Sequence, residues 1–143
     1  MAEFVRDVVI AASPETIYGF LTESEKHVLW EGTEAELDAR PGGVYDVLIA
    51  GEYQARGQYL EVVPHTKVVY SFGWDMPDNP IRPGSTTVEW TLEPEGDKTR
   101  VRVRHYDLPE DAVELHAHGW NHYVDRLVVA GCGGDPGPDL GAG

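Results

Sequence analysis

The sequence holds one cysteine, Cys132, in 143 residues. That count excludes an internal disulfide and any zinc site built from paired thiolates, and it fits a reducing compartment. Basic residues are also scarce. Eleven Lys and Arg stand against 25 Asp and Glu, for a formal charge of −14. Such a surface repels phosphate backbones and anionic headgroups, which argues against nucleic acid and membranes as partners and favours solubility. No apolar run approaches the roughly 20 residues that span a bilayer. The opening MAEFVRDVVIAAS lacks the basic stretch and long apolar segment of a secretory signal. Cytoplasm is the expected location. The chain contains no GxSxG, phosphate loop, dinucleotide fingerprint or HExxH. No cofactor and no metal are expected.

What the sequence does have is alternation. In the stretch GQYLEVVPHTKVVYSFGW, Gly57 to Trp74, two β-rich runs flank a Pro-His-Thr turn. Val68, Tyr70, Phe72 and Trp74 alternate there with Lys67, Val69, Ser71 and Gly73. A period of two with aromatics on one side predicts strands lining a concave interior. Further strands are predicted at Phe4–Ala11, Thr33–Ala39, Val44–Ala50, Glu52–Val63, Thr86–Leu92 and Arg100–Tyr106. Ser13 and Pro14 open a short helix. Thr22-Glu23-Ser24-Glu25, with capping-box spacing, opens a second that ends near Trp30. Asp75 to Ser85 holds three prolines and is predicted to be a long loop. The last element is a long helix with an apolar stripe of Val113, Ala117, Trp120, Val124, Leu127 and Val128. Gly131, Gly133 and Gly134 end it. One domain over residues 1–134 and a Gly/Pro-rich tail over 135–143 are expected. That tail should be extended or mobile and should bury almost nothing. The order of strand, two short helices, six strands and long helix is that of an α+β fold, with a curved antiparallel sheet and the last helix covering its concave face.

The concave face should collect Tyr70, Phe72, Trp74, Val88, Trp90, Val101, Val103 and His105, with His116, Trp120 and Val124 from the helix. Aromatic walls with few polar groups are the usual lining of a small-molecule pocket, although the same residues also make an ordinary packed core. His105 replaces an apolar residue on a valine-lined strand. It serves either acid/base chemistry or as a hydrogen-bonded core histidine, and His116 can face it from the helix. His118, His122 and Asp125 share one helix face, opposite Trp120, and read as a solvated polar surface rather than a metal site. His27, Trp30 and Glu31 are placed to line the pocket entrance, with packing as the commoner role for Trp30. Glu34, Glu36 and Asp38 are expected on the solvent side of their strand. Arg100, Arg102 and Arg104 should form cross-strand ion pairs on the outer face.

The chain resembles the START-like superfamily, also called SRPBCC or the birch-pollen-allergen fold. More narrowly it resembles the branch named after the carboxy-terminal domain of the activator of heat-shock-protein-90 ATPase. The residues that carry this are IAASPETIYGFLT at Ile10 to Thr22, RPGG at Arg40 to Gly43, GQYLEVVP at Gly57 to Pro64 and the strand ending at Trp74. TRVRVRH at Thr99 to His105 and HGW at His118 to Trp120 complete the match. The resemblance implies a helix-grip fold and an apolar or aromatic small molecule bound between sheet and helix, lined by Tyr70, Phe72, Trp74, Val88, Trp90, Val103, His105, His116, Trp120 and Val124. It leaves two alternatives. One is a cyclase- or hydrolase-like enzyme using His105 in the same cavity. The other is a co-chaperone-like protein-interaction module, with a protein partner or a second copy of the chain.

Overall fold

The computed structural model describes residues 2–143. Seven antiparallel strands are β1 (Ala2–Ile10), β2 (Glu34–Leu37), β3 (Val44–Ile49), β4 (Tyr53–Val63), β5 (Lys67–Trp74), β6 (Thr86–Glu95) and β7 (Lys98–Leu108). They form one sheet in the order β1-β7-β6-β5-β4-β3-β2. Helices α1 (Pro14–Thr22) and α2 (Ser24–His27) carry the chain from one edge strand to the other, and the long helix α3 (Val113–Gly131) follows β7 after a single 3₁₀ turn at Glu110–Ala112. The α+β class and the element order are as the alternation predicts. Among the described residues, no helix is long and apolar enough to cross a membrane.

Local chemistry explains the joints. Ser13 caps α1 by accepting from the Thr16 amide at 3.2 Å. The predicted capping box does not form. Thr22 is still helical, its hydroxyl donates back to the Tyr18 carbonyl at 2.8 Å, and α2 has no side-chain cap. Ser24 instead accepts from the Leu37 amide at 3.0 Å and so ties α2 to β2. Strands β6 and β7 run further than predicted, through Pro94, because Gly96 (φ 67°) makes a tight two-residue turn possible. At the β4–β5 pairing the register shifts between Tyr59 and Glu61, a bulge that bends the sheet.

α3 ends in a Schellman motif. The Gly133 amide bonds the Ala130 carbonyl at 3.0 Å, the Gly134 amide bonds the Val129 carbonyl at 2.9 Å, and Gly133 has φ 87°. The helix covers the sheet unequally. Its buried residues are Trp120, Tyr123, Val124, Arg126, Leu127, Ala130 and Gly131. Val113 and Ala117, predicted in the apolar stripe, are only half-buried.

The tail departs from expectation. It folds back along α3, and its Asp139 is 6 % exposed. Arg126, inside the helix stripe, donates to the carbonyls of Trp30 (2.8 Å), Pro136 (3.0 Å) and Gly137 (2.8 Å). A buried guanidinium satisfied by carbonyls anchors a segment that has almost no apolar surface of its own.

On the outer face Arg102 pairs with Asp7 through two bonds, at 2.8 and 3.2 Å, and Arg100 with Glu95 at 2.9 Å. Arg104 meets Glu3. These are the predicted ion pairs. We expect Arg126→Ala to cost about 2–4 kcal/mol in urea unfolding, since charged hydrogen bonds contribute about 1.5–3 kcal/mol each and their buried acceptors would be left bare. Arg100→Ala should shift the midpoint little, because an exposed pair contributes little. Equal effects would mean that Arg126 is not a structural anchor.

Candidate functional site

The ten residues proposed as pocket lining do meet in one region between the sheet and α3. Tyr70, Phe72 and Trp74 come from β5, Val88 and Trp90 from β6, Val103 and His105 from β7, and His116, Trp120 and Val124 from α3. All but Trp74 and His116 are buried. They are in mutual contact. The Trp90 and Trp120 rings are 5.7 Å apart, Phe72 and His105 5.0 Å, and His105 and His116 5.2 Å.

Hydrogen bonds assign the histidine tautomers. The Trp120 indole donates to His105 Nδ1 at 2.9 Å. His105 Nε2–H then donates to Thr86 Oγ1 at 2.8 Å, and that hydroxyl donates to the Phe72 carbonyl at 2.8 Å. The Trp74 indole donates to His116 Nε2 at 3.1 Å, so His116 Nδ1–H donates to the Ala112 carbonyl at 2.8 Å. Each imidazole accepts from an indole and is therefore held neutral. Burial, with the neighbouring His116, pushes His105 down to about 3. Burial also lowers His116, partly offset by the Ala112 carbonyl. Both His105 nitrogens are occupied, so it presents no free acid or base.

A second buried polar cluster lies on the other side of Trp90. His27 and Glu31 are 1 % and 2 % exposed. They are interior residues, not the entrance residues the sequence suggested. His27 Nδ1 donates to the Phe20 carbonyl at 3.1 Å, and one proton joins Nε2 to Glu31 Oε1 at 2.8 Å. Tyr45 donates to the same carboxylate oxygen at 3.3 Å and stacks on Tyr70 with ring centroids 3.9 Å apart. The Trp90 indole donates to Tyr70 Oη at 3.1 Å. Burial, then the Glu31 charge, pushes the Tyr45 and Tyr70 phenols well up. Trp30 is wholly buried, with its indole donating to the Phe20 carbonyl at 2.9 Å. The i, i+4 spacing of His27 and Glu31 was the available signal for this pair.

Elsewhere the polar helix face is only partly solvated. His118 and Asp125 are exposed, and Asp125 pairs with Arg6 at 2.7 Å. His122 packs on Tyr123 at 4.8 Å, with its Nε2 buried and without a partner among the described residues. Two depressions mark the surface. One, about 250 Å³, is lined by Glu34, Ala35, Glu36, Asp46, Leu48 and Gln54. The other, about 560 Å³, lies over Arg56, Gly57, Gln58, Leu60, Ser71, Pro83, Gly84 and Thr87. Both sit outside the aromatic cluster.

The family model described as Activator of Hsp90 ATPase homolog 1-like protein matches residues 11–130. The chain belongs to this family. Solved structures share the fold. An AHSA1-like protein from Rhizobium etli is 42 % identical, with a TM-score of 0.74 over 96 % of this chain and 88 % of that one. The Aha1 dimer from Colwellia psychrerythraea is 22 % identical, with a TM-score of 0.78 over 92 % and 96 %. An HSP90 activator from Plasmodium falciparum is 18 % identical, with a TM-score of 0.75 over 91 % and 96 %. No curated protein matches the chain. The matched span includes both polar clusters and stops at Ala130, before the tail.

The neutral state of His105 has a testable sign. Its folded pKa is depressed, so the stability that goes with it is full above about pH 6.5 and is lost as pH falls towards 3. His116 acts in the same direction. Urea unfolding between about pH 7 and pH 4 should lose stability at up to about 1.4 kcal/mol per pH unit for each such group. His105→Gln should flatten that slope. An unchanged slope would mean that His105 does not titrate as described.

Proposed function

We propose that this chain is a cytoplasmic binding protein for an apolar or aromatic small molecule, seated between the sheet and the first two turns of α3 against Phe72, Trp74, His105, His116 and Trp120. One observation carries the reading. The seven residues from Val113 to Gly119 contribute nothing buried, yet His116 among them meets the rings of Trp74 and His105 on the sheet. The side-chain hydrogen bond joining them to the sheet runs from Trp74 to His116. Breaking one neutral bond costs about 0.5–1.5 kcal/mol, so lifting these turns is cheap beside displacing the half of the helix that holds Trp120 and Leu127. A ligand entering there replaces side-chain contacts with its own ring. Its polar end meets a freed indole N–H donor and a freed imidazole acceptor, a pair that suits a hydroxyl group.

A second reading, a protein-interaction module or homodimer subunit, draws on the close packing of the aromatic interior and on the outer-face position of both depressions. Family membership, the dimer named for one structural neighbour and the HSP90 activation named for another also favour it.

Titration with naphthol or anilinonaphthalene sulfonate separates the readings. Saturable quenching of tryptophan emission is expected, weakened about ten-fold by Trp74→Ala, the loss of one aromatic contact. Failure of every aromatic probe to bind would leave the interaction module. A probe indifferent to Trp74→Ala and His116→Ala would place the site elsewhere.

A further inference from the structure

We infer that the groove between α3, the loop before β2 and the end of β3 is a receptor for an extended acidic peptide segment, and that the chain's own tail occupies it in place of such a partner. The tail's own Gly141 amide reaches Asp139 Oδ1 at 2.9 Å, and the body of the domain supplies the other donors. The Gly32 and Ala50 amides reach Asp139 Oδ2 at 2.9 and 3.0 Å, and the Tyr123 hydroxyl reaches Oδ1 at 2.8 Å. Arg126 adds two nitrogens, one to the Pro136 carbonyl and one to the Gly137 carbonyl. The groove therefore offers three donors to one carboxylate and two to main-chain carbonyls upstream of it. That pattern reads a peptide backbone bearing a single Asp.

The backbone around the groove is built to aim those donors. Gly32 has φ 91°, and a Cβ there would stand 2.6 Å from Val47 Cγ1. Ala50 holds φ 55°, a conformation that a residue with a Cβ rarely adopts. The hydrogen bonds that Asp139 receives from Gly141, Tyr123, Ala50 and Gly32 outweigh its burial and hold its carboxyl below the ordinary value.

The resident tail is a replaceable occupant. Leu140 is 84 % exposed, so apolar burial adds little to its hold. It is joined to α3 through Cys132, Gly133 and Gly134, which are exposed and close the helix. Its polar contacts are reinforced by a short tether, which gives an effective concentration in the millimolar range. A partner segment with the same carboxylate and carbonyls, and added contacts of its own, competes on those terms. The net charge of −14 requires that the rest of that partner be neutral or basic.

The test uses the full chain and the nonapeptide Asp135 to Gly143 in trans. In ¹⁵N-labelled Asp139→Asn protein, the nonapeptide should bind saturably at millimolar concentration and return the Gly32 and Ala50 amide resonances towards their wild-type positions. A nonapeptide carrying the same Asp139→Asn change should bind about ten-fold more weakly, having lost the ionic acceptor. Wild-type protein, already occupied, should need far more peptide. If the nonapeptide leaves both amides unmoved, or if the two peptides bind alike, the receptor does not exist. A second arm guards against misfolding of the variant. The wild-type chain is nicked at an inserted protease site after Gly134. Its nonapeptide should leave on dilution and rebind when nonapeptide is added back at millimolar concentration; a nicked chain that does not take the nonapeptide back overturns the proposal.

Discussion

One constraint governs this molecule: a single helix must close the concave face of a seven-stranded sheet, and the buried residues of that helix all lie from Trp120 onward. Trp120, Tyr123, Val124 and Leu127 cover part of the face. The remainder is filled from within by large side chains of the sheet and of the α1–α2 segment. Tyr45 stacks on Tyr70, and Trp30 meets Trp90 edge to face with centroids 5.7 Å apart. Rings of this size fill volume that aliphatic residues would leave to a cavity. The aromatic composition of the interior is thus a packing solution first, and any binding site must be made by moving some of it.

Filling a core with Tyr, Trp and His brings polar atoms inside, and each must be satisfied. The molecule does so pairwise. Indoles donate to imidazoles at Trp120–His105 and Trp74–His116, to a phenol at Trp90–Tyr70, and to a carbonyl at Trp30–Phe20. These bonds fix ring orientation, so specificity of packing and neutrality of the histidines share one cause. The arrangement is static for His105, wedged between Thr86 and Trp120. It is less so for His116, whose helix turn is otherwise unburied.

The alternation along β5, β6 and β7 made the sheet, its inward residues and the approach of Trp74 and Trp90 to the helix that carries Trp120 legible. Buried charge was harder. Glu31, Arg126 and Asp139 are placed outside by any hydropathy argument, since charged groups are rarely buried unless paired. Yet Arg126 falls within a stripe of Tyr123, Leu127 and Ala130 at helical spacing, and that position was a clue to its burial. Asp139 offered no comparable signal. Its burial depends on amides at Gly32 and Ala50, whose φ values are tertiary facts. The same tertiary origin explains why a Gly/Pro tail looked unattached: what holds it belongs almost entirely to the body it rests on.

The row of indoles has an optical consequence. Trp30, Trp90 and Trp120 stand in sequence at 5.7 Å steps, nearly perpendicular to one another. At such spacing excitation migrates among rings faster than it is emitted, and neighbouring transition dipoles couple. Excitation is therefore shared among the three rings, and emission from the far end of the core registers what disturbs Trp120 on α3.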